Sequence, residues 1–213
     1  MYSGRIASVE VARYLSDLEE GYEHTHWSEL DLLQYYRLAL AMVATWNKKD
    51  FAVKTAVEVV GGAVQTLPPP CQGVADTVYT DANGRLLPAK SVGSMTKNVP
   101  LRCKGAKAYS PTGVAIDPNN TNAVYVDPPV PEGETATIYV NCFVAPKPAS
   151  LDEELNIPVH LEPLIFELML YYAWGVDTES APSRERSALH WQNAVFITNS
   201  IAGVAPQRRT ARG

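Results

Sequence analysis

The sequence predicts an α+β chain: a four-helix bundle with a small antiparallel β domain inserted between its second and third helices, plus an extended C-terminal arm. Three observations carry this. Apolar residues recur at helical spacing towards both ends; the stretch from Val53 to Pro146 runs instead in short β-branched segments punctuated by Pro and Gly; and the last residues have no apolar periodicity. The implied boundaries are residues 1–50 and 150–202 for the two halves of the bundle, 51–149 for the β domain and 203–213 for the arm.

From Ile6 to about Glu20, Val9, Ala12, Leu15 and Leu18 stand three residues apart with polar residues between them, the stripe of a helix that Gly21 ends. A second helix runs from Ser28 to about Trp46. Ser28 is suited to cap its first amides, and Glu29 and Asp31 set carboxylates against the positive helix end. Its apolar set of Leu30, Leu33, Leu40, Val43 and Ala44, with Leu32, Tyr36 and Ala39 alongside, is broad enough for burial on more than one side.

Val57–Val60 and Ala63–Leu67 read as two strands separated by Gly61-Gly62 and stopped by Pro68-Pro69-Pro70. Val74–Thr80 and Arg85–Pro88 form a hairpin about Asp81-Ala82-Asn83-Gly84, where Asn83 and Gly84 accept the positive φ of a tight turn. Lys107–Ile116 adds a strand. Ala123–Asp127, a Pro128-Pro129 stop, the turn Pro131–Glu134 and Thr135–Ala145 read as a second hairpin, for about six strands in all. After the linker Pro146–Glu154, the apolar run Leu161–Trp174 is a third helix that Gly175 stops. Pro182 suits the first turn of a fourth, reaching about Ile201, with Leu189, Ala194 or Phe196, and Ile197 inward and Arg184, Glu185 and Arg186 outward. Ala202–Pro206 breaks that helix.

The chain has 213 residues, 46% hydrophobic and 19% charged, a composition able to bury a core. No apolar run reaches membrane-spanning length, and the first ten residues lack a signal-peptide apolar segment, which together predict a protein made and kept in a cytosol. The net charge is −5, although Gln207–Gly213 holds three arginines and no acid. The rest of the chain is therefore more acidic still, which disfavours wrapping DNA. Cys71, Cys103 and Cys142 are odd in number and widely spaced, so they read as reduced, partly buried apolar residues and not as a disulfide framework.

Residues that carry chemistry are sparse. His24 and His26 fall on a loop with no third metal ligand at a recognisable spacing, and His160 and His190 are isolated on helices. Gly61-Gly62 lacks the residues of a phosphate loop. The carboxylates of the β segment, mainly Glu58, Asp76, Asp81, Asp117, Asp127, Glu132 and Glu134, lie mostly in turns. The aromatic set Tyr35, Tyr36, Tyr171, Tyr172, Trp174 and Trp191 falls on helices and reads as core or subunit interface. No catalytic residue, cofactor or metal is expected, and the chain reads as no enzyme. A modest basic cluster of Lys97, Arg102, Lys104 and Lys107 keeps open an alternative reading, a DNA-contacting accessory protein.

The order of several weak motifs resembles one family. These are Trp27 followed by Glu29-Leu-Asp-Leu-Leu33, the Asn83-Gly84-Arg85 turn, Ile116-Asp117-Pro118, Ala123-Val-Tyr-Val-Asp-Pro-Pro129, the Tyr139 strand ending at Pro146, and Leu170-Tyr-Tyr-Ala-Trp174. Together they resemble the head-to-tail adaptors of short-tailed bacteriophages, also called tail tubular protein A or head completion proteins, over roughly residues 5–200. The resemblance implies a structural virion protein of the neck, assembled in the host cytoplasm. It implies a homo-oligomeric ring, a 12-mer, that binds the portal protein on one side and the tail nozzle protein on the other and passes DNA through its lumen without specific binding, with no membrane partner. It also implies that the C-terminal arm lies along the portal, so that Arg208, Arg209 and Arg212 meet acidic portal residues.

Overall fold

The computed structural model describes residues 2–15, 27–95, 109–117, 119–176 and 180–203. The chain divides into two compact units, Met1–Asn47 with Pro146–Gly213, and Lys48–Ala145.

In the first unit, β1 (Tyr2–Ser3) leads directly into α1 (Gly4–Tyr14), capped by the Ser3 hydroxyl, which accepts from the Ile6 amide at 3.3 Å. The helix begins earlier than its apolar spacing predicts. Its buried face runs through Gly4, Ala7, Ser8, Val11 and Ala12 and not through Val9 and Leu15. Gly4 is there because nothing larger fits: a Cβ would stand 2.7 Å from the Tyr36 ring and 3.0 Å from a Leu151 methyl. Gly4→Ala is therefore expected to cost about 1–3 kcal/mol through overpacking, read as a lower urea midpoint at unchanged slope.

α2 (Glu29–Trp46) starts at a reciprocal capping box: the Asp31 amide donates to Ser28 Oγ at 3.2 Å, and the Ser28 amide donates to Asp31 Oδ2 at 2.9 Å. It buries Leu32, Tyr36, Ala39, Leu40 and Val43, a wide apolar face as its composition predicts, but Leu30, read as part of that face, is 71% exposed. After β10 (Glu154–Leu155), which pairs antiparallel with β1, α3 (Glu162–Gly175) packs against α1, α2 and α4 (Ala181–Ile201). Being enclosed by three helices explains why α3 is apolar all round, with Leu164, Ile165, Leu168, Met169 and Leu170 buried.

The fourth helix corrects an expectation. Leu189, read as inward, is 52% exposed. Of the alternatives Ala194 and Phe196, Phe196 is 57% exposed and it is Ala194 that faces the core, with Ser183, Ser187 and His190. Three of those four are small, so α4 approaches α3 closely and α3 supplies the bulk of the contact.

In the second unit, a short 3₁₀ turn (Lys48–Phe51) precedes β2 (Ala52–Val59), β3 (Gly62–Thr66), β4 (Val74–Asp81), β5 (Leu86–Leu87), β6 (Ala89–Lys90), β7 (Gly113–Asp117), β8 (Asn120–Val130) and β9 (Ala136–Phe143). They form two four-stranded sheets, ordered β2-β9-β4-β5 and β3-β8-β7-β6. The first sheet is antiparallel throughout, whereas β6 and β7 run parallel. One core draws on both, with Val57, Tyr79, Ile138 and Val140 from the first and Val114, Val124, Val126 and Val130 from the second.

The expected four-helix bundle with a small antiparallel insertion is thus overturned: two four-stranded sheets, one of them mixed, dominate the middle of the chain. The segment read as a second hairpin, Ala123–Ala145, is a corner between sheets, as is the junction of the two strands read on either side of Gly61-Gly62, whereas β4 and β5 pair as the hairpin expected about Asn83-Gly84. β8 and β9 lie in different sheets, as do β2 and β3, and the long pairings are β2 with β9 and β3 with β8. Buried Gln65 fastens one corner, accepting from the Val60 amide at 2.9 Å and donating to the Val60 carbonyl at 2.8 Å. Pro128-Pro129 does not stop β8. Both prolines lie beyond the last β7 pair, Gly113 with Asp127, and inside the register shift between Gly62 and Val64 of β3, where no ladder donor is required of them.

The cysteines also depart from expectation. Cys71 and Cys142 are disulfide-bonded, with Cα atoms 5.3 Å apart. Their separation of 71 residues leaves no local signature, and only the register of β9 with the chain entering β4 brings them together.

Candidate assembly surface

The helical unit exposes its chemistry along α4. On one side, α2 contributes Tyr35 and Leu38, α3 contributes Tyr171, Tyr172 and Gly175, and α4 contributes Arg184, Ser187, Ala188, Trp191 and Gln192 to an open groove of about 680 Å³. Its wall is an aromatic series. The Tyr171 ring lies 5.0 Å from Tyr172 and 5.2 Å from Trp191, and Trp191 meets Trp46 edge-on at 5.7 Å, centroid to centroid. The Ser187 hydroxyl donates to the Tyr171 carbonyl at 3.0 Å and sets the spacing of α4 on α3. Burial raises the Tyr35 and Tyr172 phenols above their ordinary pKa, and the Tyr172 hydroxyl donates to Met42 Sδ at 4.0 Å.

On the other side of α4, Tyr14 meets Phe166 edge-on at 5.9 Å and His190 at 5.6 Å, beside a second groove of about 660 Å³ lined also by Glu10, Arg13, Val159, Glu162 and Pro163. Buried His190 is not isolated: its Nδ1 lies 2.8 Å from Glu167 Oε2, which also accepts from Asn193 at 3.2 Å. The pair ties α3 to α4. Leu189, Val195 and Phe196 crown α4 itself as exposed apolar side chains.

Of the aromatic set named from sequence, Tyr35, Tyr171, Tyr172 and Trp191 meet at the first groove. Tyr36 is core, and Trp174 stacks under the Arg186 guanidinium at 4.5 Å with Trp27 edge-on at 6.0 Å. What the sequence missed is the exposed crown of α4, because a helix with apolar residues on both faces gives no period that distinguishes inside from outside.

In the β unit the carboxylates hold structure. Asp76 accepts from the Asn141 amide group at 3.0 Å, and Asp127 pairs with Lys90. Asp81, which the sequence treats as one turn residue among four, organises the β4–β5 turn: its Oδ1 accepts from the Asn83 and Arg85 amides, each at 2.9 Å, while Gly84 takes φ of 78°. Among the described residues no group of three His, Cys, Asp or Glu side chains is arranged to hold a metal, and no helix is long and apolar enough to cross a membrane. Arg208, Arg209 and Arg212, His24 and His26, and Lys97, Arg102, Lys104 and Lys107 lie outside the described residues.

Burial, with a smaller contribution from Asp76 and Asp127 respectively, pushes the Tyr79 and Tyr109 phenols up to about 12. The unfolded chain releases these protons near pH 10 and the folded chain retains them to about pH 12. Stability is thus undiminished below pH 10 and lost as pH rises through that window, by about 1.4 kcal/mol per pH unit for each fully retained proton. Urea midpoints measured from pH 8 to 12 should be flat and then fall.

No curated protein matches the chain. A family model described as SU10 adaptor protein matches residues 5–213, spanning both units. Because that match covers nearly the whole chain, the chain belongs to this family of phage structural adaptors, the SU10 adaptor protein family.

Proposed function

We propose that the chain is one subunit of a closed ring that joins the portal of the phage head to the tail nozzle and leaves a channel through which DNA passes. The observation that carries this reading is the uncovered apolar surface of the helical unit: the aromatic groove between α2 and α4, and Leu189 and Phe196 on the outer face of α4. Apolar surface on two different sides suits a heterologous contact, in which one side of a subunit meets another side of its neighbour and the repetition closes. Twelve copies would match the rotational symmetry of the portal. The net charge of −5 suits a channel that does not grip phosphate, and the β unit would supply a tail-facing or outer surface.

The test is electron microscopy of the protein mixed with the portal protein from the same genome, with each component alone as control. A second collar on the portal, whose symmetry can be counted, supports the reading; bare portals beside free subunits across a range of salt concentrations overturn it. Within this reading the arm docks on the portal through Arg208, Arg209 and Arg212. Deleting Gln207–Gly213 is expected to weaken portal binding by about tenfold or more, the loss of at least one charge-assisted bond, while the melting temperature of the isolated subunit stays unchanged. Unchanged affinity would remove the arm from the contact.

A further inference from the structure

We propose that Cys71 and Cys142 are a latent staple: the β unit folds with both thiols free while the protein is made, and the bond closes when the protein meets an oxidising medium. The compartment change rests on the reading of the chain as a virion protein; the chemistry rests on the β unit alone.

The backbone holds the two cysteines together without the bond. The Gln72 amide donates to the Phe143 carbonyl at 2.9 Å, the Phe143 amide donates to the Gly73 carbonyl at 2.8 Å, and the Cys71 amide donates to the Pro68 carbonyl at 3.0 Å. The loop carrying Cys71 is thus fastened by two backbone bonds to Phe143, the residue that follows Cys142 in β9. Cys142 is itself fixed, because β9 is an interior strand that pairs with Val53 of β2 and Val74 of β4 at this very residue, and its side chain is fully buried in the shared core. In the closed state the Cα atoms are 5.3 Å apart, within the ordinary span of a disulfide, and the backbone bonds that hold this spacing do not involve the sulfurs. The two cysteines differ in access. Cys142 is sealed, whereas Cys71, at the margin of the core, keeps part of its surface in solvent.

That asymmetry sets the order of events. The Cys71 thiolate attacks one sulfur of a small-molecule disulfide, such as oxidised glutathione, and releases one thiol. The Cys142 thiol then gives up its proton and attacks the Cys71 sulfur, releasing the second thiol. Two protein thiols are oxidised and one external disulfide is reduced, with both protons ending on the released thiols. Reducing cytosols keep such pairs open and external media let them close.

The experiment uses the full chain purified under reducing conditions, then equilibrated with oxidised glutathione, alkylated and peptide-mapped by mass spectrometry. A parallel alkylation is made at the moment of lysis of the producing cells. The expected result is threefold: both thiols alkylated in the lysate, a far-ultraviolet circular dichroism spectrum of the reduced chain matching the oxidised one, and a Cys71–Cys142 peptide after oxidation with a melting temperature about 20 °C higher. Cys71→Ser should fold like the reduced chain and show no rise on oxidation. A reduced chain without sheet signal, a bond already closed at lysis, thiols that stay free in excess oxidant, or a bond to Cys103 would each overturn the proposal. Because the chemistry is read on the purified chain, its outcome is separate from whether the chain enters particles.

Discussion

Reduction of the Cys71–Cys142 bond is expected to lower the unfolding free energy of the β unit by about 4 kcal/mol at 25 °C. The bond closes a loop of 71 residues, and the chain entropy it removes from the unfolded state grows with the logarithm of that length. For a unit of this size, each kcal/mol shifts the midpoint by about 4–8 °C, so the transition reporting the β unit should fall by about 20 °C when a reductant is added to the calorimeter cell. The native contacts of β9 with β2 and β4 are unaffected. A reduced protein that melts within a degree or two of the oxidised one would show that the unfolded chain is already confined near these residues.

The second large effect is expected at Lys90. In the second sheet β7 lies between β6 and β8, and the Lys90 stem crosses it to reach Asp127, whose side chain is almost sealed from solvent. The crossing is possible because position 113 is glycine: a Cβ there would stand 2.6 Å from Lys90 Cε. Lys90→Met keeps the apolar stem and takes the Lys90 ammonium away from the Asp127 carboxylate. Losing one partner of a buried pair costs about 3–5 kcal/mol, because the remaining charge keeps its desolvation penalty. Lys90→Met with Asp127→Asn removes that charge as well, so urea denaturation should find the double variant more stable than Lys90→Met alone. Equal losses in the two would mean that Asp127 is satisfied by its other contacts.

Elements with a local chemical signal are legible in this sequence, and those defined by partners distant along the chain are not. α2 announces itself through Ser28, Glu29 and Asp31, and the structure returns the capping box that those residues suggest. β6 is two residues long and can show no alternation, whereas β5, equally short, is placed by the Asn83-Gly84 turn before it. Pro128-Pro129 looks like a stop because a proline cannot donate to a ladder, but at these positions β8 has no ladder to donate to. The aromatic lining of the groove was readable as core or interface, since Tyr35, Tyr171, Tyr172 and Trp191 lie on apolar helices. The exposure of Leu189 and Phe196 was not, because only the small residues at 183, 187 and 194 decide which face of α4 turns inward.

The order in which the helices are made has its own consequence. α1 and α2 leave the ribosome first, yet the helix that covers them, α3, follows the entire β unit. At about 5–20 residues per second, translation of the stretch between α2 and α3 takes on the order of ten seconds. During that interval Leu40, Val43 and their neighbours have no α3 to pack against, while every strand of the two four-stranded sheets has already been synthesised before α3 emerges. In order of synthesis, the β unit is therefore the first to have all its strands present, and the first helices are the last to meet the helix that covers them.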